Sequence, residues 1–258
     1  MTIFVAETIG TALLVLLGCG VCANTSLSKS NGKDAGWLTV NVGWGLAVAI
    51  CVYFTNKASG GHLNPAVTLG MASIGKLAWG KVPIYLGAQF LGALIGSVLV
   101  WLTYFSHWAA TEDQDTKLGV FCTSPAIPAT VPNLMSEAVG TFVLVLGVLA
   151  ITTPDNLLPG SGFEEGFGPF LVGLLVWSIG TSLGGPTGYA INPARDLGPR
   201  IAHAILPIAG KGGSNWAYSW IPVVGPILGG VGGALFYAAF WGVAEVGPSL
   251  IPTMPATP

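Results

Sequence analysis

The sequence predicts an all-α membrane protein: six transmembrane helices plus two re-entrant half-helices, built as an inverted repeat of three spans and three. Three observations predict it. First, charge is scarce. Lys and Arg number 9 and Asp and Glu 11, only 8% of the 258 residues, where a soluble chain carries roughly 25%. Second, apolar residues make up 52% and mean hydropathy is +0.71, too greasy for that small charge to keep dissolved. Third, the same short motifs recur in each half of the chain. Together these exclude a cytosolic enzyme and a disordered chain. They also exclude a nucleic-acid binder, which needs a basic face, because the formal net charge is −2. The 38 glycines fit close helix packing and interrupted helices in a membrane.

A bilayer core of about 30 Å needs about 20 helical residues. Six apolar stretches meet that length, at 3–23, 38–55, 82–104, 135–153, 168–187 and 217–241. The first has no basic leader and is too long for a signal core, so it reads as a retained span. Turn-rich segments separate the spans: 24–37 with its Asn, Ser and Lys, 105–134 with Glu112, Asp113 and Asp115, and 154–167 with Pro, Asp and Gly. No ten-residue alternation of the outer-membrane barrel kind is present.

Two further apolar stretches, 65–75 and 193–203, are too short to cross, and each begins with Pro directly after Asn. Asn is a good N-cap and Pro suits the first helical position. Each Asn-Pro therefore starts a half-helix, and the extended backbone before it must be buried in protein or line a water-filled cavity. The halves repeat in order. Ala6-Glu7-Thr8-Ile9-Gly10-Thr11 returns as Ser136-Glu137-Ala138-Val139-Gly140-Thr141. Gly61-His62-Leu63-Asn64-Pro65-Ala66 returns as Tyr189-Ala190-Ile191-Asn192-Pro193-Ala194. Gly92 and Gly96 in the third span are matched by Gly225, Gly229 and Gly233 in the sixth. Three spans per half is an odd number, so the second half enters from the opposite side. A single transmembrane domain is expected over 1–258: first repeat 3–104, linking loop 105–134, second repeat 135–241, tail 242–258.

Two Asn-Pro-Ala triplets, each opening a half-helix in such a repeat, are a specific signature. On Asn64-Pro65-Ala66 and Asn192-Pro193-Ala194 the chain resembles the aquaporin superfamily, the major intrinsic proteins, across about residues 4–241. Asp196 directly after Arg195 is similar to the glycerol-facilitator branch, which carries Asp there. The resemblance implies a passive channel for glycerol, water and other small neutral solutes, with dihydroxyacetone, urea, hydrogen peroxide and undissociated lactic acid as further candidates. It implies no cofactor, no resident metal and a homotetramer in the lipid bilayer, with both termini cytoplasmic. The basic residues of the loops do not themselves show that orientation.

The residues fit this resemblance. Helix N-termini carry about half a positive charge, so two facing ones at Pro65 and Pro193 would repel cations. Asn64 and Asn192 can cap them and turn NH2 groups toward a solute. An Arg at membrane depth is costly and usually functional. The resemblance places Arg195 at the outer constriction with Trp44, Gly180 and Tyr189. Gly180 would provide room for solute. Tyr189 stands where the branch usually has Phe, and its hydroxyl either narrows the pore or adds a polar contact. Arg200 reads as a surface residue. The carbonyls of Gly60, Gly61, His62 and Leu63, and of Gly188, Tyr189, Ala190 and Ile191, would line the path as acceptors. His62 reads as a structural hydrogen-bonding residue. By resemblance Glu7 and Glu137 brace the buried loops. A proton- or ion-coupled secondary transporter also uses inverted repeats and would need those two carboxylates for coupling. An intramembrane enzyme would need a nucleophile–base pair or metal ligands, which the scattered His62, His107 and His203 do not supply. Cys19 and Cys22 form a CxxC in an apolar run, where Cys acts as a small hydrophobe.

Overall fold

The computed structural model describes residues 1–153 and 163–242. Its helices in chain order are α1 (Ile3–Ser26), α2 (Gly36–Ser59), α3 (Pro65–Ser73), α4 (Val82–Thr103), α5 (Phe105–Ala110), α6 (Gln114–Phe121), α7 (Thr130–Ile151), α8 (Phe163–Leu183), α9 (Pro193–Ile205) and α10 (Ile221–Trp241). Among the described residues six helices are long and apolar enough to cross a membrane. Large apolar side chains such as Leu38, Phe54, Leu102, Leu228 and Phe240 stand exposed on them, as hydrocarbon contact requires. Part of the segment 154–167, expected as a loop, and nearly all of the expected tail lie outside the described residues.

α1 and α2 outrun their apolar stretches because polar residues can finish a helix. At the end of α1, Thr25 Oγ1 and Ser26 Oγ donate back to the carbonyls of Val21 and Cys22 at 2.9 and 2.6 Å. Asn56 and Lys57 extend α2 until Gly60, at φ 81°, stops it. α7 starts five residues ahead of its expected 135 because Pro132 lies in its first turn, where a missing N–H costs nothing. α10 begins at Ile221 rather than 217, with Pro222 in its first turn. The linking loop holds two short helices, α5 and α6, that mixed hydropathy conceals.

Backbone approach sets the packing. A Cβ on Gly92 or Gly96 would lie 2.4 Å from the carbonyl oxygens of Thr8 and Ala12, so α4 sits directly on α1. On the other side Gly229 and Gly233 bring α10 onto α7, with Ala138 O and Phe142 O at 2.0 and 2.6 Å from the same construction. Small residues at such crossings are how helices associate where lipid removes the hydrophobic drive. α2 meets α8 across the two halves through Gly45 and Gly173. The half-helices are exchanged between repeats. α3 lies on α10, where Gly70 meets Gly230 O, and α9 lies on α4, where Gly198 meets the Ala93 side chain.

Candidate functional site

The two half-helices start face to face. Asn64 and Asn192 are extended (φ −156° and −157°) and each side chain caps its own helix. Asn64 Oδ1 accepts from Ala66 N at 2.9 Å; Asn192 Oδ1 accepts from Ala194 N and Arg195 N at 3.0 and 3.2 Å. Pro65 and Pro193 follow at the first helical position. The amide nitrogens then cross over. Asn64 Nδ2 donates to Ile191 O and Asn192 Nδ2 donates to Leu63 O, both at 2.8 Å. Each half thus satisfies a carbonyl of the other.

Two buried carboxylates hold the incoming loops. Glu7, on α1, accepts from His62 N (3.0 Å) and Leu63 N (2.7 Å), and also from Ser59 Oγ and Gln89 Nε2. Glu137, on α7, accepts from Ala190 N (2.9 Å) and Ile191 N (2.8 Å). Non-helical backbone inside a membrane must find such partners, and a charged acceptor makes them stronger. His62 Nδ1 lies 3.1 Å from Thr68 Oγ1, and its ring packs on Tyr85. Leu63, Tyr189 and Ile191 hold positive φ (51°, 39° and 43°), a strained backbone for side-chain-bearing residues.

A continuous cavity of about 320 Å³ runs past these loops. Helical stripes four residues apart form its apolar wall: Val48 and Val52 on α2, Leu144 and Val148 on α7, Val172 and Val176 on α8. Gly60, Gly61, His62, Leu63, Tyr189, Ala190 and Ile191 contribute to the remaining lining. Trp44, Tyr189 and Arg195 also reach the cavity, with the Arg195 guanidinium 4.0 Å from the Trp44 ring centroid. Such stacking holds a cation on an aromatic face. Arg195 Nη1 also donates to Phe121 O at 3.4 Å.

The space Gly180 leaves is filled by the Tyr189 ring, whose Cζ would lie 2.7 Å from a Cβ there. A Cβ on Gly188 would meet the Thr123 side chain at 3.4 Å. One placement differs from expectation: Arg200 is fully buried rather than on the surface. Its Nε and Nη2 bond Asp196 Oδ1 at 3.0 and 2.8 Å, and its remaining donors reach the carbonyls of Thr123, Ser214 and Asn215. Asp196 Oδ2 completes the network by accepting from Thr123 N and Oγ1, both at 2.7 Å. Asp196 therefore secures the segment at Thr123 and, through Arg200, the loop at Ser214 and Asn215.

Sequence reading missed four contributors. Phe121 and Thr123 belong to a linker with no motif of its own. Gly18 seats Trp44, since a Cβ on it would fall 2.2 Å from the indole. Lys117 is buried and donates to Ala209 O at 2.6 Å, tying α6 to the loop after α9. Only the apolar stripes left a signal, their spacing of four. Among the described residues no cluster of His, Cys, Asp and Glu is placed to hold a metal.

Six apolar spans and paired half-helices around one cavity define an integral membrane protein of the channel-forming, inverted-repeat kind. The family model for the major intrinsic protein matches residues 1–237, and the chain belongs to that family. It is 55% identical over 237 residues to a probable glycerol uptake facilitator protein of Thermotoga maritima, covering 92% of this chain and 98% of that one. It is 56% identical over 243 residues to the glycerol uptake facilitator protein of Bacillus subtilis, covering 94% and 86%. The X-ray structure of the aquaglyceroporin from Plasmodium falciparum is similar in fold, with TM-score 0.82, 32% identity and 93% and 96% of the two chains covered.

Proposed function

We propose that the protein is a passive channel that carries glycerol, water and other small uncharged solutes across the cell membrane and excludes ions and protons. One observation carries this reading: the crossed Asn64 and Asn192 amides, at the facing starts of two half-helices, inside a continuous cavity. Each amide nitrogen has a second N–H beyond the one bonded across. A water or hydroxyl passing there would turn its oxygen toward both Asn residues, which breaks a chain of waters that could relay protons. The helix starts and Arg195 would repel cations. Trp44, Tyr189 and Arg195 form the selective constriction, with Gly180 shaping it by admitting the Tyr189 ring. The apolar stripes face a solute's carbons while unbonded loop carbonyls accept from its hydroxyls.

The names of the relatives from Thermotoga maritima and Bacillus subtilis favour glycerol as the solute. In keeping with its family the protein works without a cofactor as a homotetramer, with both termini cytoplasmic. A coupled transporter would need a carboxylate free to exchange protons. Glu7 and Glu137 instead have their oxygens taken by loop amides. Stopped-flow light scattering on proteoliposomes tests the reading. Glycerol should enter well above the lipid background whether or not a proton gradient is present. Uptake that appears only with a gradient would contradict it.

A further inference from the structure

Behind the constriction lies a polar group of atoms that the solute path does not use. Asn41, on α2 three residues before Trp44, is fully buried, and neither its Oδ1 nor its Nδ2 has a hydrogen-bond partner among the described residues. The Tyr189 hydroxyl is buried and unpartnered as well. Gly180 brings the two together. A Cβ built on it would lie 2.7 Å from Asn41 Oδ1 and 2.7 Å from Tyr189 Cζ, the carbon that bears the hydroxyl. Two further residues flank the ring. Gly184 lies against its Cδ1 edge, at 2.5 Å by the same construction, and Trp37 meets it at right angles with centroids 5.8 Å apart.

The amide oxygen of Asn41 and the hydroxyl-bearing carbon of Tyr189 therefore meet beside one glycine, and all three polar atoms of the two side chains are buried without a partner among the described residues. Leaving all three unpaired is costly, and a buried water typically takes about two to four such partners. We propose that Asn41 and Tyr189 form a buried water-binding site beside Gly180. Through that water Asn41 acts as a positioning residue, keeping the Tyr189 hydroxyl turned out of the lumen. The inference rests on the reading of Tyr189 as part of the constriction. It explains how a Tyr can stand there without its hydroxyl filling the pore. Without the Asn41 amide, the hydroxyl loses its partner and the nearest polar surroundings are the lumen and its solutes. The ring then leans inward and obstructs glycerol more than the smaller urea.

The test is the glycerol-to-urea permeability ratio in proteoliposomes, measured for wild type, Asn41→Leu, Asn41→Ser, Tyr189→Phe and the double variant Asn41→Leu with Tyr189→Phe. Asn41→Leu should lower the ratio by about fivefold, the factor one hydrogen bond of ordinary net strength is worth. Asn41→Ser, which keeps a hydroxyl for the water, should stay near wild type. The double variant should match Tyr189→Phe alone, because no hydroxyl is left to misplace. Asn41→Ala gives the same reading should the leucine variant fail to insert. A ratio that does not change, or that falls by the same factor when residue 189 is Phe, overturns the proposal. Wild-type glycerol flux at the lipid background would instead overturn the channel reading itself.

Discussion

The two re-entrant loops share a frame and differ in chemistry. Gly60 and Gly188 both sit at φ 81°, and Leu63 and Ile191 at 51° and 43°. Each loop hangs from a carboxylate and ends in a capping Asn. Yet Val67 in α3 corresponds to Arg195 in α9, and Thr68 to Asp196. In the first half Thr68 joins a neutral set, within 3.1 Å of His62 and Gln89 and bonded to Asn64 O. In the second, Asp196 pairs with Arg200 and Arg195 stacks on Trp44. Duplication therefore preserved what positions the backbone, and divergence concentrated charge on one side. The left-handed position of Gly61 (φ 61°) is taken by Tyr189 (φ 39°) in the second half. There the chain carries an aromatic ring at the expense of backbone strain.

Substitutions at matched positions sharpen the contrast. The largest effect is expected at Asp196. Asp196→Ala leaves the buried Arg200 without its counter-charge, which costs about 3–5 kcal/mol, whereas Thr68→Ala removes neutral hydrogen bonds worth about 1 kcal/mol each. Thermal unfolding in detergent should rank them that way, and equal losses would mean the second half is not the charged one energetically. Next comes the shared left-handed position. Gly61→Ala should cost about 1–2 kcal/mol, whereas Tyr189→Gly relieves a comparable strain but empties the buried slot beside Gly180, a loss of about 3–5 kcal/mol that outweighs it. The same unfolding assay should therefore show the larger loss for Tyr189→Gly; a gain in stability there would mean the ring contributes little packing.

A third contrast is functional. Gly180→His forces the Tyr189 ring from its slot, so glycerol flux should fall more than water flux in stopped-flow assays. Gly140, on α7, faces Ile191 at 3.0 Å by the same construction, and Gly140→Ala should reduce both fluxes modestly and together. If Gly180→His also lowered them in proportion, its slot would not set the width.

The spans were legible because crossing a bilayer demands a length of apolar sequence that little else demands. The half-helices were legible because Asn-Pro is a start signal that needs no tertiary context. What escaped depends on contacts between distant residues. Nothing local marks Gly18 as the seat of Trp44, or brings Asn41 and Tyr189 together beside Gly180. Arg200 was readable in principle: Asp196 lies four residues before it on the same helix, a spacing that pairs side chains. Taking it for a surface residue gave exposure precedence over that pairing. α5 and α6 were hidden because they are short and amphipathic only toward neighbours from other segments.

The most direct test of the account is the ion current of Arg195→Val under voltage clamp, beside Val67→Ala as the matched change in the first half. On the proposed reading Arg195 is the cation of the constriction, and the facing helix starts remain when it is gone. Arg195→Val should therefore admit a measurable proton or small-cation leak while glycerol still passes, and Val67→Ala should stay as tight as wild type. Wild-type currents in Arg195→Val, with the protein present in the membrane at normal level, would contradict the claim that selection against charge resides in the second half.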